Sequence, residues 1–295
     1  MMLGRGGRYA GRMSTSRPEP SSSPALPDVK RVRTLHLQRA KDAGEKFTML
    51  TSYDVLTAGI FDAAGVDVLL VGDSLGNTVL GHGTTLPVTL DEMIVFASAV
   101  VRGAQRALVL VDLPFGSYEE SPAQAVRSAV RVMKESGAHA VKIEGGVDLA
   151  EHVAAVVRAG VPVMGHVGFT PQAEHALGGF RIQGRGDDAA ARVLADARAM
   201  QDAGCFGVLL EMVSEDAART VEESLTVPTV GIGAGAVTTG QVLVWQDMLG
   251  LRTGTMPRFV KQYAQLADTA REAVSEYVAD VRSGAFPAEE HTYRG

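Results

Sequence analysis

The stretch AVKIEGGVDLAEHVAAVVRAG (140–160) holds the pattern from which the rest of the chain is read. Its first part is short, apolar and β-branched, as a strand covered on both faces should be. Gly145-Gly146 stops it, and LAEHVAAVVRAG (149–160) then reads as a helix closed by Gly160. Side chains alternate along a strand, so Val141 and Ile143 share one face while Lys142 and Glu144 share the other. A cation and an anion aimed the same way from a buried strand need a common destination.

The same unit recurs along the chain. FTMLTSYD (47–54), DVLLVGDS (67–74), ALVLVDLPF (107–115), VPVMGHVGF (161–169), GVLLEMV (207–213), PTVGIGAG (228–235) and QVLVWQDMLG (241–250) supply seven further strand candidates. Most are followed by a helical pattern, and several of those helices end in glycine just before the next strand, at Gly65, Gly137, Gly160 and Gly204. Ser121-Pro122 is a helix start, cap plus first turn. TLHLQRAKDAG (34–44) precedes the first unit, and a last helix runs through QLADTAREAVSEYVADVRSG (265–284). Repeated βα units with apolar strands define an α/β protein with a parallel sheet. Eight of them in this length fit a closed (β/α)₈ TIM barrel, with an N-terminal helix before it. A dinucleotide fold would carry GxGxxG at its first strand–helix turn, which here reads TSYDVLTAG.

Composition narrows the function. With 295 residues, 46% hydrophobic and only 5% aromatic, the chain can bury a large core of Ala, Val and Leu. Its net charge of −6 gives no basic surface for nucleic acid or anionic lipid. No run of apolar residues is long enough for a membrane span. The lone Cys205 forms no internal disulfide and no cysteine metal cluster, which fits a cytoplasmic location; it reads as a small buried residue. Residues 1–29 differ: they are rich in Gly, Ser, Pro and Arg and show no apolar period, so a disordered tail is expected ahead of a single barrel domain, 30–295. An Arg-rich targeting leader is the other reading of that tail.

Acids then recur at strand ends: Asp54, Asp73, Asp112, Glu144 and Glu211. In a barrel these ends ring one mouth, where such enzymes build their sites. Carboxylates crowded on one rim repel one another, so something positive should sit among them. Oxygen ligands without Cys suit a hard divalent ion. Lys142 and Glu144 would face this mouth; the alternative is that they only neutralise each other as a buried pair. The rim acids by themselves also allow a metal-dependent C–C lyase of the same barrel class, or a catalytically silent, ring-forming scaffold.

The motifs LTSYD, VGDSLGNTVLGHGTTLPVTLDEM, DLPFGSY, VKIEGG, GHVGFTPQ, GGFRIQGRG, LLEMV, VGIGAG and SGAFPAEEHTY occur in this order from about residue 30 onward. Together they closely resemble the ketopantoate hydroxymethyltransferase family. The resemblance implies a barrel of the phosphoenolpyruvate/pyruvate-type superfamily. It implies transfer of a hydroxymethyl group from 5,10-methylenetetrahydrofolate to 3-methyl-2-oxobutanoate, giving 2-dehydropantoate on the route to pantothenate and coenzyme A. It assigns Asp73, Asp112 and Glu144 to Mg²⁺, the last through water. It places Asp73, Ser74, Asp112 and Lys142 against the keto acid, has Glu211 accept a proton, and makes the assembly a homo-oligomer, a decamer. The chemistry agrees: a 2-oxo acid can chelate one ion, which stabilises the enolate left when a carboxylate removes the C3 proton. For Glu211 a metal-organising role is the other reading, although Met212 and Val213 beside it suit a base in an apolar pocket. His166, His82 and Asp54 read equally well as site residues or as loop and cap residues. GIGAG (231–235) is read as close backbone packing, and GGFRIQGRGDD (178–188) as a candidate lid. No folate motif is visible.

Overall fold

In the computed structural model, which describes residues 26–295, helix α1 (Thr34–Ala43) precedes eight strands: β1 (Phe47–Thr51), β2 (Val68–Val71), β3 (Leu108–Asp112), β4 (Ala140–Glu144), β5 (Val163–Gly168), β6 (Gly207–Glu211), β7 (Thr229–Ile232) and β8 (Gly240–Leu243). They pair in parallel, in sequence order, and β8 closes onto β1. Helices α2 (Val55–Ala63), α3 (Leu75–Thr78), α4 (Leu90–Gly103), α5 (Pro122–Ser136), α6 (Ala150–Arg158), α7 (Glu174–Leu177), α8 (Asp187–Asp202) and α9 (Glu215–Ser224) fall between strands. The expected barrel is therefore the observed fold. The expected tail, 1–29, lies almost wholly outside the described residues, and buried packing starts at Leu26 and Val29.

Two cores follow from the alternation of strand residues. The inward set includes Met49, Leu70, Leu110, Met164, Leu209, Val230 and Val242, joined at the base by Leu37 and Ala40 of α1, so the N-terminal helix plugs the barrel floor. The outward set meets the helices and includes Leu69, Val109, Val141, Ile143 and Val208. Helix starts are fixed locally: Ser121 Oγ accepts from the Gln124 N–H, and Thr89 and Glu92 cap α4 reciprocally. Asp62, at the end of α2, accepts from the backbone N–H groups of Gln105, Arg106 and Ala107 and so sets the entry to β3. That role is invisible in sequence, because the partners lie more than forty residues away.

Two units depart from the simple repeat. No helix separates β7 from β8. After β8, α10 (Trp245–Met248) and an extended stretch lead to α11 (Leu266–Ser283), none of whose residues is buried. Val274, Tyr277, Val278 and Val281 are exposed on it.

Helices α2 and α4 approach closely at Gly103, where a Cβ would lie 2.5 Å from the Val55 carbonyl oxygen and 2.8 Å from Ala58 Cβ. Backbone cannot yield as a flexible side chain can. Gly103→Ala should therefore destabilise the fold by about 1–3 kcal/mol, read from the midpoint of urea unfolding.

Candidate active site

Strand register assembles the site. Asp112 on β3 lies beside Lys142 on β4, Glu144 on β4 beside His166 on β5, and Gly168 on β5 beside Glu211 on β6. All belong to the C-terminal ends of the strands, with Asp73 and Ser74 following β2. The cavity they line has a volume of about 330 Å³. It contains Asp73, Ser74, Asp112, Lys142, Glu144 and Glu211, so all six predicted residues meet there. Its inner walls include Leu70, Leu209, Ile232 and Val242.

Lys142 and Glu144 do share this mouth, but they do not pair with each other. Lys142 Nζ lies 3.1 Å from Asp112 Oδ1 and 3.1 Å from His166 Nδ1. Glu144 Oε1 lies 3.4 Å from His166 Nδ1, while Oε2 accepts from the Gln172 backbone N–H. The far ring nitrogen, His166 Nε2, stands 3.3 Å from Glu211 Oε2. His166 thus bridges two rim acids and is a site residue. Glu211 keeps 19% of its side chain exposed, which leaves it open to a ligand, whereas its neighbours are almost fully buried.

The charges are unbalanced: four rim carboxylates face one lysine and one histidine. Burial, then Asp112 and Glu144, push the Asp73 carboxyl up to about 8. Burial also raises Asp112, although Lys142 pulls it back. For Glu144, burial is outweighed by His166, Lys142 and the Gln172 N–H, and its carboxyl shifts down. Burial would lower the Lys142 ammonium, but Asp112, Glu144 and Asp73 together shift it upward. Burial and Lys142 push His166 down; the contacts with Glu144 and Glu211 prevail, and the net shift is upward.

This surplus of negative charge fits a divalent cation. Glu144 Oε1 is buried without a hydrogen-bond partner, and Asp112 Oδ1 touches the ammonium without an aligned hydrogen bond. Among the described residues, no three His, Cys, Asp or Glu side chains enclose a metal by themselves. Mg²⁺ does not need that, since it takes one or two carboxylates and completes its shell with water and substrate oxygens.

Several open readings now resolve. Asp54 accepts from the Leu56 and Thr57 N–H groups as the cap of α2. At His82 the backbone carbonyl accepts from the Asn77 side chain, a bond that fixes the loop and does not involve the imidazole. In GIGAG a Cβ on Gly233 would meet the Phe259 ring at 2.9 Å, so close packing explains that glycine. Cys205 is buried, and burial raises its thiol to about 12. The 178–188 loop places Phe180 at the cavity, but Gln183 pairs with the strand end: its N–H donates to the Met212 carbonyl and its carbonyl accepts from Ser214. Met212 itself has φ of 47°, a rare value for a non-glycine residue, directly beside Glu211. Sequence reading missed three residues. Tyr53, buried with its phenol raised to about 12, hydrogen-bonds Ser74 Oγ at 2.8 Å; Tyr118 and Gln172 tie the rim acids together. All three stand inside quoted motifs, Tyr53 in LTSYD, Tyr118 in DLPFGSY and Gln172 in GHVGFTPQ, and that position was the only signal.

Comparison with solved structures places the fold. Phosphonopyruvate hydrolase, solved with oxalate and Mg²⁺, superposes with a TM-score of 0.58 at 13% identity over 88% of this chain and 93% of that one. A 2,3-dimethylmalate lyase, described as a PEP mutase/isocitrate lyase superfamily member, gives 0.55 at 18% identity over 88% and 91%. These likenesses are of fold: both chains superpose on this eight-stranded barrel over most of their length. The family profile described as ketopantoate hydroxymethyltransferase matches residues 31–289. A Saccharopolyspora erythraea protein named 3-methyl-2-oxobutanoate hydroxymethyltransferase is 60% identical over 91% of this chain and 92% of its own length. One of the same name from Leifsonia xyli is 58% identical over 93% and 99%. The chain belongs to the ketopantoate hydroxymethyltransferase family, and it is an enzyme of the hydroxymethyltransferase class.

Proposed function

We propose that the enzyme transfers a hydroxymethyl group from 5,10-methylenetetrahydrofolate to 3-methyl-2-oxobutanoate, giving 2-dehydropantoate and tetrahydrofolate, with Glu211 as the base. The observation that carries this reading is one cavity holding a buried lysine, paired buried acids and a partly exposed glutamate, in a chain of this family.

Asp73 and Asp112 would hold Mg²⁺, with Glu144 completing the site. When bound, the ion supplies positive charge to the oxygens of the 2-oxo acid and so makes the C3 proton more acidic. Lys142, fixed by Asp112, binds the substrate carboxylate. Ser74, fixed by Tyr53, hydrogen-bonds the same end. The apolar wall of Leu70, Leu209, Ile232 and Val242 takes the branched carbon end and excludes water there. Glu211 accepts the C3 proton, and His166 holds its carboxylate from the side. One water takes the methylene carbon from the folate's N5 and N10, which gain its two protons and leave as tetrahydrofolate. The carbon freed of its proton bonds to the resulting carbonyl carbon, whose oxygen takes the proton held by Glu211 and becomes the product's hydroxyl. This order places each charge where the reaction develops its opposite.

Residues 30–295 act as one catalytic domain, onto which Leu26 and Val29 also pack. The protein works as a homo-oligomer, a decamer, and the uncovered apolar residues of α11 support association. Its place is the cytoplasm: among the described residues no helix is long and apolar enough to cross a membrane, and the net charge is −6.

The test supplies both substrates with Mg²⁺ or with a chelator. 2-Dehydropantoate formed with Mg²⁺ and lost with chelator is the expected result. Cleavage of a 2-oxo or dicarboxylic acid without folate would put the lyase reading in its place.

A further inference from the structure

We propose that Gln172 is a positioning residue that fixes Asp73 and Glu144 at the spacing a divalent ion requires. The proposal rests on the metal reading above and adds a residue to which the family resemblance gives no role. Gln172 stands just after β5, where Pro171 opens a short turn, and only 7% of it is exposed.

Every bond it makes is directed at the rim. Its backbone N–H donates to Glu144 Oε2 at 3.0 Å. Its side-chain Nε2 donates to Asp73 Oδ2 at 2.8 Å and to the Leu113 carbonyl at 2.9 Å. Its Oε1 accepts from the Tyr118 hydroxyl at 2.6 Å. The orientation of the amide follows from this set. The Leu113 carbonyl can only accept, so the NH₂ end must face it and Asp73 beside it, and the oxygen must face Tyr118. One residue therefore holds one oxygen of each acid, on two separate strand ends, and leaves Glu144 Oε1 without a hydrogen bond.

The residue type matters as much as the contacts. Two buried carboxylates repel and would spread apart or take up a proton. A lysine or arginine in this place would hold them, but as a cation it would compete with the metal. A neutral amide donates to both carboxylates and leaves their charge available. Outer partners of this kind fix ligand direction, and losing one typically weakens metal affinity.

The test uses the full chain and Mn²⁺ as the probe, titrated without substrate and read by the EPR signal of the free ion. Gln172→Met keeps the length and removes every side-chain hydrogen bond. Its Mn²⁺ dissociation constant should rise about 10–100-fold. Turnover lost at low Mn²⁺ should return as Mn²⁺ is raised, a split that a general structural defect would not show. Tyr118→Phe, which frees the amide oxygen, should weaken Mn²⁺ in the same direction by less. If Gln172→Met does not fold, Tyr118→Phe decides. Parent-like Mn²⁺ affinity in the folded variants overturns the proposal and leaves the metal reading standing. A parent chain that takes up no Mn²⁺ overturns both.

Discussion

Glu211→Gln should bind 3-methyl-2-oxobutanoate normally and exchange its C3 proton with D₂O about a thousandfold more slowly than the parent. Glutamine has the size and shape of glutamate, so the cavity wall and the approach to His166 remain. Only the basic oxygen is lost. NMR of the keto acid in D₂O with Mg²⁺ reads the exchange, and a chelator arm shows its metal dependence. The competing role for Glu211, organising the metal, predicts the opposite split: weaker Mg²⁺ affinity with exchange recovered at high Mg²⁺. Wild-type exchange in Glu211→Gln would remove Glu211 as the base. A second variant separates placement from identity. Gly168 has φ of 95°, and a Cβ there would lie 2.5 Å from the Glu211 carbonyl oxygen and 2.6 Å from Val213 Cγ2. Gly168→Ala keeps the carboxylate but shifts the strand end that carries it, in a backbone region that favours glycine. Exchange should fall in this variant as well, although no reacting group has been changed.

The barrel was legible because each strand is a short apolar run, and most are followed by helical spacing and a closing glycine. Val141 and Ile143 read as buried, and they are. The rim acids were legible for a related reason: a charge at the end of an apolar strand has few uses. Which acid does what was less legible. Asp54 occupies the same place in its unit as Asp73 and Asp112 do in theirs, yet it caps α2. The difference lies two and three residues downstream, where free helix N–H groups compete for the side chain. Lys142 and Glu144 share a face as the period of two requires, but register, not spacing, gives each its partner on the neighbouring strand. Gln172 escaped notice because its partners lie 99, 59, 54 and 28 residues away in the chain. Local pattern carries no trace of such a contact. The last helix was also read correctly as a helix; its lack of buried residues could not be read from a pattern that looks like any amphipathic packing face.

Asp73→Asn should raise the thermal midpoint of the ion-free protein at pH 8 while abolishing both activity and stabilisation by Mg²⁺. The sign follows from linkage. Folded Asp73 is held up to about 8 by burial, Asp112 and Glu144, against about 3.9 for a free aspartate. Below about 4 both folded and unfolded chains carry the proton, and pH has no leverage through this group. Between about 4 and 8 the folded chain keeps a proton that the unfolded chain has released, so stability falls as pH rises. Above about 8 the full cost of a buried, crowded carboxylate is present. A divalent ion replaces that proton, so its stabilising increment should grow with pH. At a hundredfold excess over its dissociation constant the increment is about 2.7 kcal/mol. For a chain of this size that is several degrees in midpoint. Asparagine still offers an oxygen to Gln172 Nε2 but carries no charge, so the Mg²⁺ increment should vanish and the pH slope should shrink to the part that Asp112, also raised by burial, contributes. Thermal scans from pH 5 to 9, in chelator and in Mg²⁺, make the comparison. An Asp73→Asn protein that keeps its Mg²⁺ response would show that the ion sits elsewhere. A parent with no pH slope in chelator would show that Asp73 is not the strained acid. The stabilised but inactive variant would instead mean that this rim holds its carboxylates against their own repulsion, and that the ion, when it binds, relieves it.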